Sequence, residues 1–182
     1  MIDITDKRFV IIGLPGSGKT TLARHILNSS ERVIVYDPMS EYQGYRRYVP
    51  NDPHSIEELD DFIVRVVARY KPDIFMLDEA NRYIQPKPNR LPRAVADMVD
   101  VSRHWGVAWG AIARRPSQLH TDILELAHFG FVFNLSGKND RRALDNWYAG
   151  LGDAVASLPP YHFAVVESGK GFEVHTPVES GR

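Results

Sequence analysis

Gly13-Leu14-Pro15-Gly16-Ser17-Gly18-Lys19-Thr20 sets glycines, a lysine and a hydroxyl at the spacing that cradles phosphates. The glycines let successive backbone N–H groups turn inward, and a following helix puts the positive end of its dipole on the bound charge. Pro15, Gly16, Ser17, Gly18, Lys19, Thr20 and Thr21 are expected to hold the phosphates. Lys19 reaches the β- and γ-phosphates, and the Thr20 hydroxyl takes a magnesium position. The chemistry implied is that of a nucleoside triphosphate with Mg2+. A chance Gly-rich turn is the bland alternative, and the setting opposes it: Arg8–Ile12 reads as a strand entering the loop and Lys19–Asn28 as a helix leaving it.

Ile74-Phe75-Met76-Leu77-Asp78-Glu79 is an apolar strand that delivers two acids at its carboxyl end, where open α/β sheets bind their ligands. Asp78 suits the outer shell of magnesium. Glu79 suits orienting or deprotonating a water in line with the γ-phosphate, which makes hydrolysis the expected reaction. An acidic pair after a strand is often only a solvated turn; a phosphate loop on a neighbouring strand favours the functional reading. A small-molecule kinase shares the loop wording, with Glu79 or a neighbour serving an acceptor hydroxyl, but no arginine-rich lid insert stands out.

These residues need a scaffold, and the chain supplies one of ordinary domain size: 182 residues, 43% hydrophobic, net charge -1. A single domain over 1–182 is expected. With no cysteine, disulfides, thiolate metal sites and thiol nucleophiles are excluded. The apolar run Phe9–Ile12 is too short for a secretory or membrane segment, so a soluble, cytoplasmic protein is expected. The near-neutral charge argues against a nucleic-acid-binding character spread over the whole chain.

Strand and helix signals alternate, which predicts an α/β fold with a mainly parallel sheet and helices on both faces. Arg32–Tyr36, Asp73–Leu77, Val107–Ala113 and Phe129–Leu135 read as further strands. Asp37–Pro53 reads as a surface excursion. Ser55 and Glu58 match a capping box, with Leu59, Phe62, Ile63, Val66, Val67 and Tyr70 inward on the helix beyond it. Helices are also expected up to about Arg103, near Thr121–Ala127 and over Asp140–Tyr148. Tyr161–Glu167 and Phe172–His175, joined by Ser168-Gly169-Lys170-Gly171, predict a closing β-hairpin within about 159–177, an extension of the domain.

Three more segments bring a resemblance into view. They are Val33-Ile34-Val35-Tyr36-Asp37-Pro38-Met39-Ser40-Glu41-Tyr42; Ser102-Arg103-His104-Trp105-Gly106-Val107 with Arg114-Arg115-Pro116-Ser117-Gln118; and Leu135-Ser136-Gly137-Lys138-Asn139-Asp140. In order and spacing with the phosphate loop and the Asp-Glu strand, they resemble the HerA/FtsK superfamily of DNA-pumping ATPases over residues 8 to about 145. The branch most similar in brevity is that of viral and phage genome-packaging ATPases. The resemblance implies a P-loop NTPase fold of the RecA/ASCE kind, ATP as substrate with Mg2+, double-stranded DNA as partner, a homo-oligomeric ring (pentamer or hexamer), a portal or capsid protein as a further partner, and the host cytoplasm as location. A Zot-type phage assembly ATPase is similar too, though normally with a transmembrane segment.

Such rings complete each site with an arginine from the next subunit, and Arg103 matches that position; a guanidinium there neutralises charge on the transferred phosphoryl oxygens. The plainer reading is an arginine complementing a helix C-terminus. Where the family usually has a γ-phosphate-sensing glutamine, this chain has Arg114, which either bonds phosphate or replaces Arg103 as the finger; Arg115 stays open in that role, and Gln118 lies beyond a proline. Gln85–Arg93 offers Lys87, Arg90 and Arg93 to DNA phosphates, or is only a proline-stiffened basic loop. Lys138, Arg141 and Arg142 form a second cluster, diluted by Asp140 and Asp145. The histidines lack ligand spacing, and the tryptophans read as packing residues.

Overall fold

In chain order the protein folds as β1 (Arg8–Ile12), α1 (Lys19–Leu27), β2 (Val33–Tyr36), β3 (Arg47–Tyr48) and α2 (Ile56–Phe62). Helix α2 continues through a π-helical turn (Ile63–Val67) into α3 (Ala68–Tyr70), and then come β4 (Ile74–Leu77), α4 (Arg93–Trp105), β5 (Ala108–Ala113) and α5 (Thr121–Glu125). The chain closes with β6 (Phe129–Phe133), α6 (Lys138–Trp147), α7 (Leu151–Ala156), β7 (Phe163–Glu167) and β8 (Gly171–His175). The structure is a computed structural model and describes residues 2–178.

All strands join one eight-stranded sheet in the order β3-β2-β4-β5-β1-β6-β7-β8. Pairing is parallel from β3 to β6 and antiparallel from β6 through β8. The central strands are buried on both sides, as near-continuous apolar runs such as Phe9–Ile12 and Ile74–Leu77 require. One face packs on α1 through Leu22, Ala23, Ile26 and Leu27 against Phe9, Ile11 and Met76. The other face carries α2 and α4 to α7, with Leu59, Val95, Met98, Leu124, Leu144 and Val155 over Val10, Ile34 and Phe75. Helices thus lie on both faces, unequally shared.

Helix α4 ends in a pattern its sequence spells out. Gly106 adopts φ 70°, and the N–H groups of Gly106 and Val107 donate to the carbonyls of Arg103 and Ser102, closing the helix so that β5 starts at once. The Ser55 hydroxyl accepts from the Glu58 backbone N–H at 3.1 Å. The return half of the expected capping box is absent: the Glu58 carboxylate instead accepts from the Tyr48 hydroxyl and from the backbone N–H groups of Asn51 and Asp52.

Several expectations need correction. Asp37–Pro53 is a surface excursion with much of its length exposed, but it is anchored in ways the sequence did not announce: Asp37 and Tyr42 are fully buried, and Arg47–Tyr48 extends the sheet as its edge strand. The side chain of Asp37 accepts from the N–H groups of Glu41 and Tyr42, both at 2.9 Å, and pairs with Arg47, so the turn closes around a buried carboxylate. Val66 is half-buried and Tyr70 exposed, because the π turn adds a residue to the helical repeat and rotates the last helical residues off the buried stripe. Helix α7 has no counterpart among the elements expected from the sequence, and the hairpin is part of the main sheet through β7 rather than an appendage. Asp140, expected at a polar exit, is buried and ion-paired to Arg115, with the Ser117 hydroxyl donating to it at 2.7 Å.

Candidate active site

The phosphate loop joins β1 to α1. Gly18, at φ 106°, caps the helix in a left-handed conformation that only glycine adopts readily, and no side chain caps the N–H groups of the first turn. The loop is tied to the sheet by the Gly13 N–H donating to the Ala113 carbonyl at 3.2 Å. The Lys19 ammonium folds back onto the Leu14 carbonyl at 3.0 Å. Burial pushes its pKa down, while the facing carboxylates of Glu79 and Asp78 oppose that shift.

Asp78 and Glu79 leave the carboxyl end of β4, but β4 is not the neighbour of β1 that the motif order suggests. β5 lies between them. The end of β5 therefore stands between the loop and the two acids, and that end carries Arg114. Its Nε donates to both oxygens of Glu79, at 2.9 and 3.1 Å. Arg82 flanks the same carboxylate at 3.9 Å. Glu79 itself holds φ 48° and ψ 40°, a strained region for a glutamate.

Asp78 is different. It is buried, and both arginines pair with Glu79 rather than with it. Burial pushes its carboxyl up to about 7, against the pull of the Glu79 backbone N–H. Close by, the Thr20 hydroxyl donates to Glu41 Oε2 at 3.1 Å. The Tyr42 hydroxyl and the Ser17 hydroxyl are buried with no hydrogen-bond partner among the described residues. An uncapped helix start, an unpaired buried carboxylate and orphaned hydroxyls are the deficits that a phosphate chain with a hard, oxygen-seeking cation would fill, so the residues fit MgATP.

Sequence alone assigns no role to Glu41, Tyr42 or Arg82. Glu41 and Tyr42 sit in the segment that carries the resemblance, and Arg82 has only its spacing of three residues from Glu79 as a signal. Arg103 lies elsewhere: it precedes β5, at the opposite edge of the sheet, near Arg8 and His128, whose proton affinities are lowered first by burial and further by its charge. A six-residue strand separates it from Arg114, about 20 Å along the sheet. Within one chain Arg103 does not approach the loop.

The loop Gln85–Pro92 comes after the acids and is braced from below. His120, buried, faces the Asn89 carbonyl at 3.1 Å, and Lys87 pairs with Asp122 at 2.6 Å. Arg90 and Arg93 are exposed and make no ion pair among the described residues. The second cluster is also partly neutralised, since Arg141 pairs with Asp153.

The model of the ATPase family associated with various cellular activities (AAA) matches residues 9–135, from β1 through the loop, the acids and Arg114 to the end of β6. The chain belongs to this AAA family. No curated protein sequence matches it. Among solved structures, this AAA chain is similar to the genome packaging NTPase B204 of Sulfolobus turreted icosahedral virus 2 in complex with ATP-gammaS. That match has 19% identity and a TM-score of 0.84, over 98% of this chain and 100% of that one. It is similar to B204, the DNA-packaging ATPase of Sulfolobus turreted icosahedral virus, at 17% identity and a TM-score of 0.85, over 97% and 100%. The N-terminal domain of zonular occludens toxin from Neisseria meningitidis is more distant, at 16% identity and a TM-score of 0.52, over 71% and 78%. At these identities the likeness is one of fold, and it agrees with the P-loop architecture read from the sequence. Among the described residues no helix is long and apolar enough to cross a membrane.

Proposed function

We propose that the chain is the motor core of a genome-packaging machine, hydrolysing ATP with Mg2+ in a ring of identical subunits to move double-stranded DNA in the host cytoplasm. The observation that carries this reading is the Glu79 carboxylate held by Arg114 at the mouth of the phosphate loop. It supports hydrolysis: a carboxylate at that place serves water, and a guanidinium beside it serves phosphoryl oxygens.

In this proposal the N–H groups of Gly16 to Thr21 and the Lys19 ammonium hold the β- and γ-phosphates. The Thr20 hydroxyl and the Asp78 carboxylate hold the magnesium ion, with Glu41 orienting Thr20. Magnesium bound there supplies neutralisation of the phosphate oxygens. Glu79 orients a water and accepts its proton as the water oxygen bonds to the γ-phosphorus, and ADP leaves with the electron pair of the broken bond. Arg114 steadies the Glu79 side chain until phosphate competes for the guanidinium. Arg103 serves the neighbouring subunit, a role consistent with its distance from the loop of its own chain.

The DNA and ring assignments draw on the likeness to the B204 packaging proteins along nearly the whole of both chains. ATP turnover measured with and without duplex DNA, alongside native mass at the same concentration, tests them together. A ring whose turnover rises with DNA is expected. A monomer indifferent to DNA but stimulated by a nucleoside acceptor would make the chain a kinase.

A further inference from the structure

Pro159, Pro160, Tyr161 and His162 form a tight turn closed by the His162 N–H donating to the Pro159 carbonyl at 3.2 Å. Tyr161 occupies its third position with φ 64°, where a turn with proline second calls for glycine. A bulky aromatic residue in that conformation is an outlier, and such outliers concentrate at ligand sites. The ring is also not placed there by core packing, since Tyr161 is 58% exposed. It leans on the phosphate loop: a methyl group added to Gly18 would meet Tyr161 Cδ1 at 3.5 Å.

The ring walls a cleft of about 280 Å³, lined also by Gly18, Thr21, Phe133, Phe163 and Pro177. Among the described residues its polar side-chain groups are the hydroxyls of Thr21 and Tyr161, and no carboxylate, amide or cationic side chain lines it. The charges of the site settle which end of a triphosphate lies near this cleft. Lys19, Asp78, Glu79 and Arg114 gather on the β4–β5 side of β1, so the γ end lies there. Phe133 and Phe163 belong to β6 and β7, on the other side of β1. The α-phosphate and the nucleoside must leave over Gly18 and Thr21, into the cleft.

We infer that this cleft is the base site, that it takes a purine ring stacked on Tyr161, and that it grips the ring by its faces without reading its edge. The inference rests on the phosphate-loop reading and adds a specificity to it. An apolar cleft separates ligands weakly, whereas strong discrimination needs polar groups that pair with the edge. Stacking tolerates any base and favours the larger ring system. The protein is therefore a purine-nucleotide enzyme with little preference between adenine and guanine.

The test is calorimetric binding, with Mg2+, of the β,γ-methylene analogues of ATP, GTP and CTP and of inorganic tripolyphosphate, to wild type, Tyr161→Ala and Tyr161→Phe. Expected are ATP and GTP analogues within about fivefold of each other and the CTP analogue weaker, as stacking on one aromatic ring allows. Tyr161→Ala should weaken both purine analogues by roughly tenfold and leave tripolyphosphate unchanged, with Tyr161→Phe close to wild type. Undiminished purine binding by Tyr161→Ala, or a preference between ATP and GTP of about a hundredfold or more, overturns the base site while tripolyphosphate binding keeps the phosphate loop. A wild-type protein that fails to bind tripolyphosphate overturns both.

Discussion

Arg114 grips Glu79 end-on, its Nε shared between the two carboxylate oxygens at 2.9 and 3.1 Å. The contact exists because β5 is inserted between β4 and β1, which sets the last residues of three strands side by side. Arg114 stands where a neutral sensor was expected from the resemblance, and the ion pair gives the substitution a physical sense. Before phosphate arrives, the guanidinium has a partner, and the candidate base is held in place in its strained backbone conformation.

Glu79→Gln should lower turnover by about a hundredfold or more, the usual weight of a general base, while nucleotide affinity holds. Arg114→Ala should lower turnover as well, and Arg114→Lys should recover little of it, because an ammonium cannot reproduce the shared guanidinium contact. Phosphate release and equilibrium nucleotide binding, measured together, check this. Wild-type turnover in Glu79→Gln would remove Glu79 as the base.

Arg103→Ala and Glu79→Gln, each inactive alone, should regain activity when mixed if Arg103 acts on the neighbouring subunit. The gain expected is large, since such arginines contribute about a thousandfold or more. Turnover in rings shown by native mass to be mixed is the readout. No recovery returns Arg103 to the part of a helix C-terminal arginine.

Lys87 is engaged by Asp122, so the DNA-facing charge of its loop should come from Arg90 and Arg93. Neutralising either arginine should flatten the slope of log affinity against log salt by about 0.9, whereas Lys87→Ala should change it less. Duplex binding titrated at several salt concentrations measures the slopes. A larger effect from Lys87 would mean that its pair with Asp122 opens on binding.

Asp78→Asn should abolish turnover and yet raise the stability of the ligand-free protein. Burial raises the Asp78 carboxyl from 3.8 to about 7, so folding at neutral pH carries a cost that is absent below pH 3.8 and that the amide removes, on the order of 2 kcal/mol. Chemical denaturation without nucleotide or Mg2+ tests it, and an unchanged or lower midpoint would contradict it.

Glu58 should make the fold acid-sensitive. The Tyr48 hydroxyl and the N–H groups of Asn51 and Asp52 hold its pKa down to about 2. A carboxylate lowered in the folded state contributes its stability above the unfolded value of 4.5 and loses it as pH falls from there toward about 2. Glu58→Gln should therefore melt below wild type at pH 7, with the gap closing as pH drops through that window. A gap that stays constant with pH would assign the effect to packing.

Much of this was legible in the residues because local physics writes it locally. A phosphate loop is a string of glycines, a lysine and a threonine in one stretch, and an apolar run ending in Asp78-Glu79 is a strand with acids at its rim wherever it folds. The cap at Ser55 and the hairpin turn are likewise short-range patterns. Strand order is not local. Nothing in Arg8–Ile12 or Ile74–Leu77 states that β5 will come between them, so the meeting of Arg114 with Glu79 was invisible, as was the remoteness of Arg103. The same holds for Asp37, whose burial depends on Arg47 and on the N–H groups of Glu41 and Tyr42 folding around it, and for Lys87, whose charge is spent on Asp122. Residue spacing thus pointed to a nucleotide-binding P-loop, since that motif is contiguous. Which charges stand beside it, and on which side of β1 the cleft with Tyr161 opens, was decided by non-local strand pairing and burial.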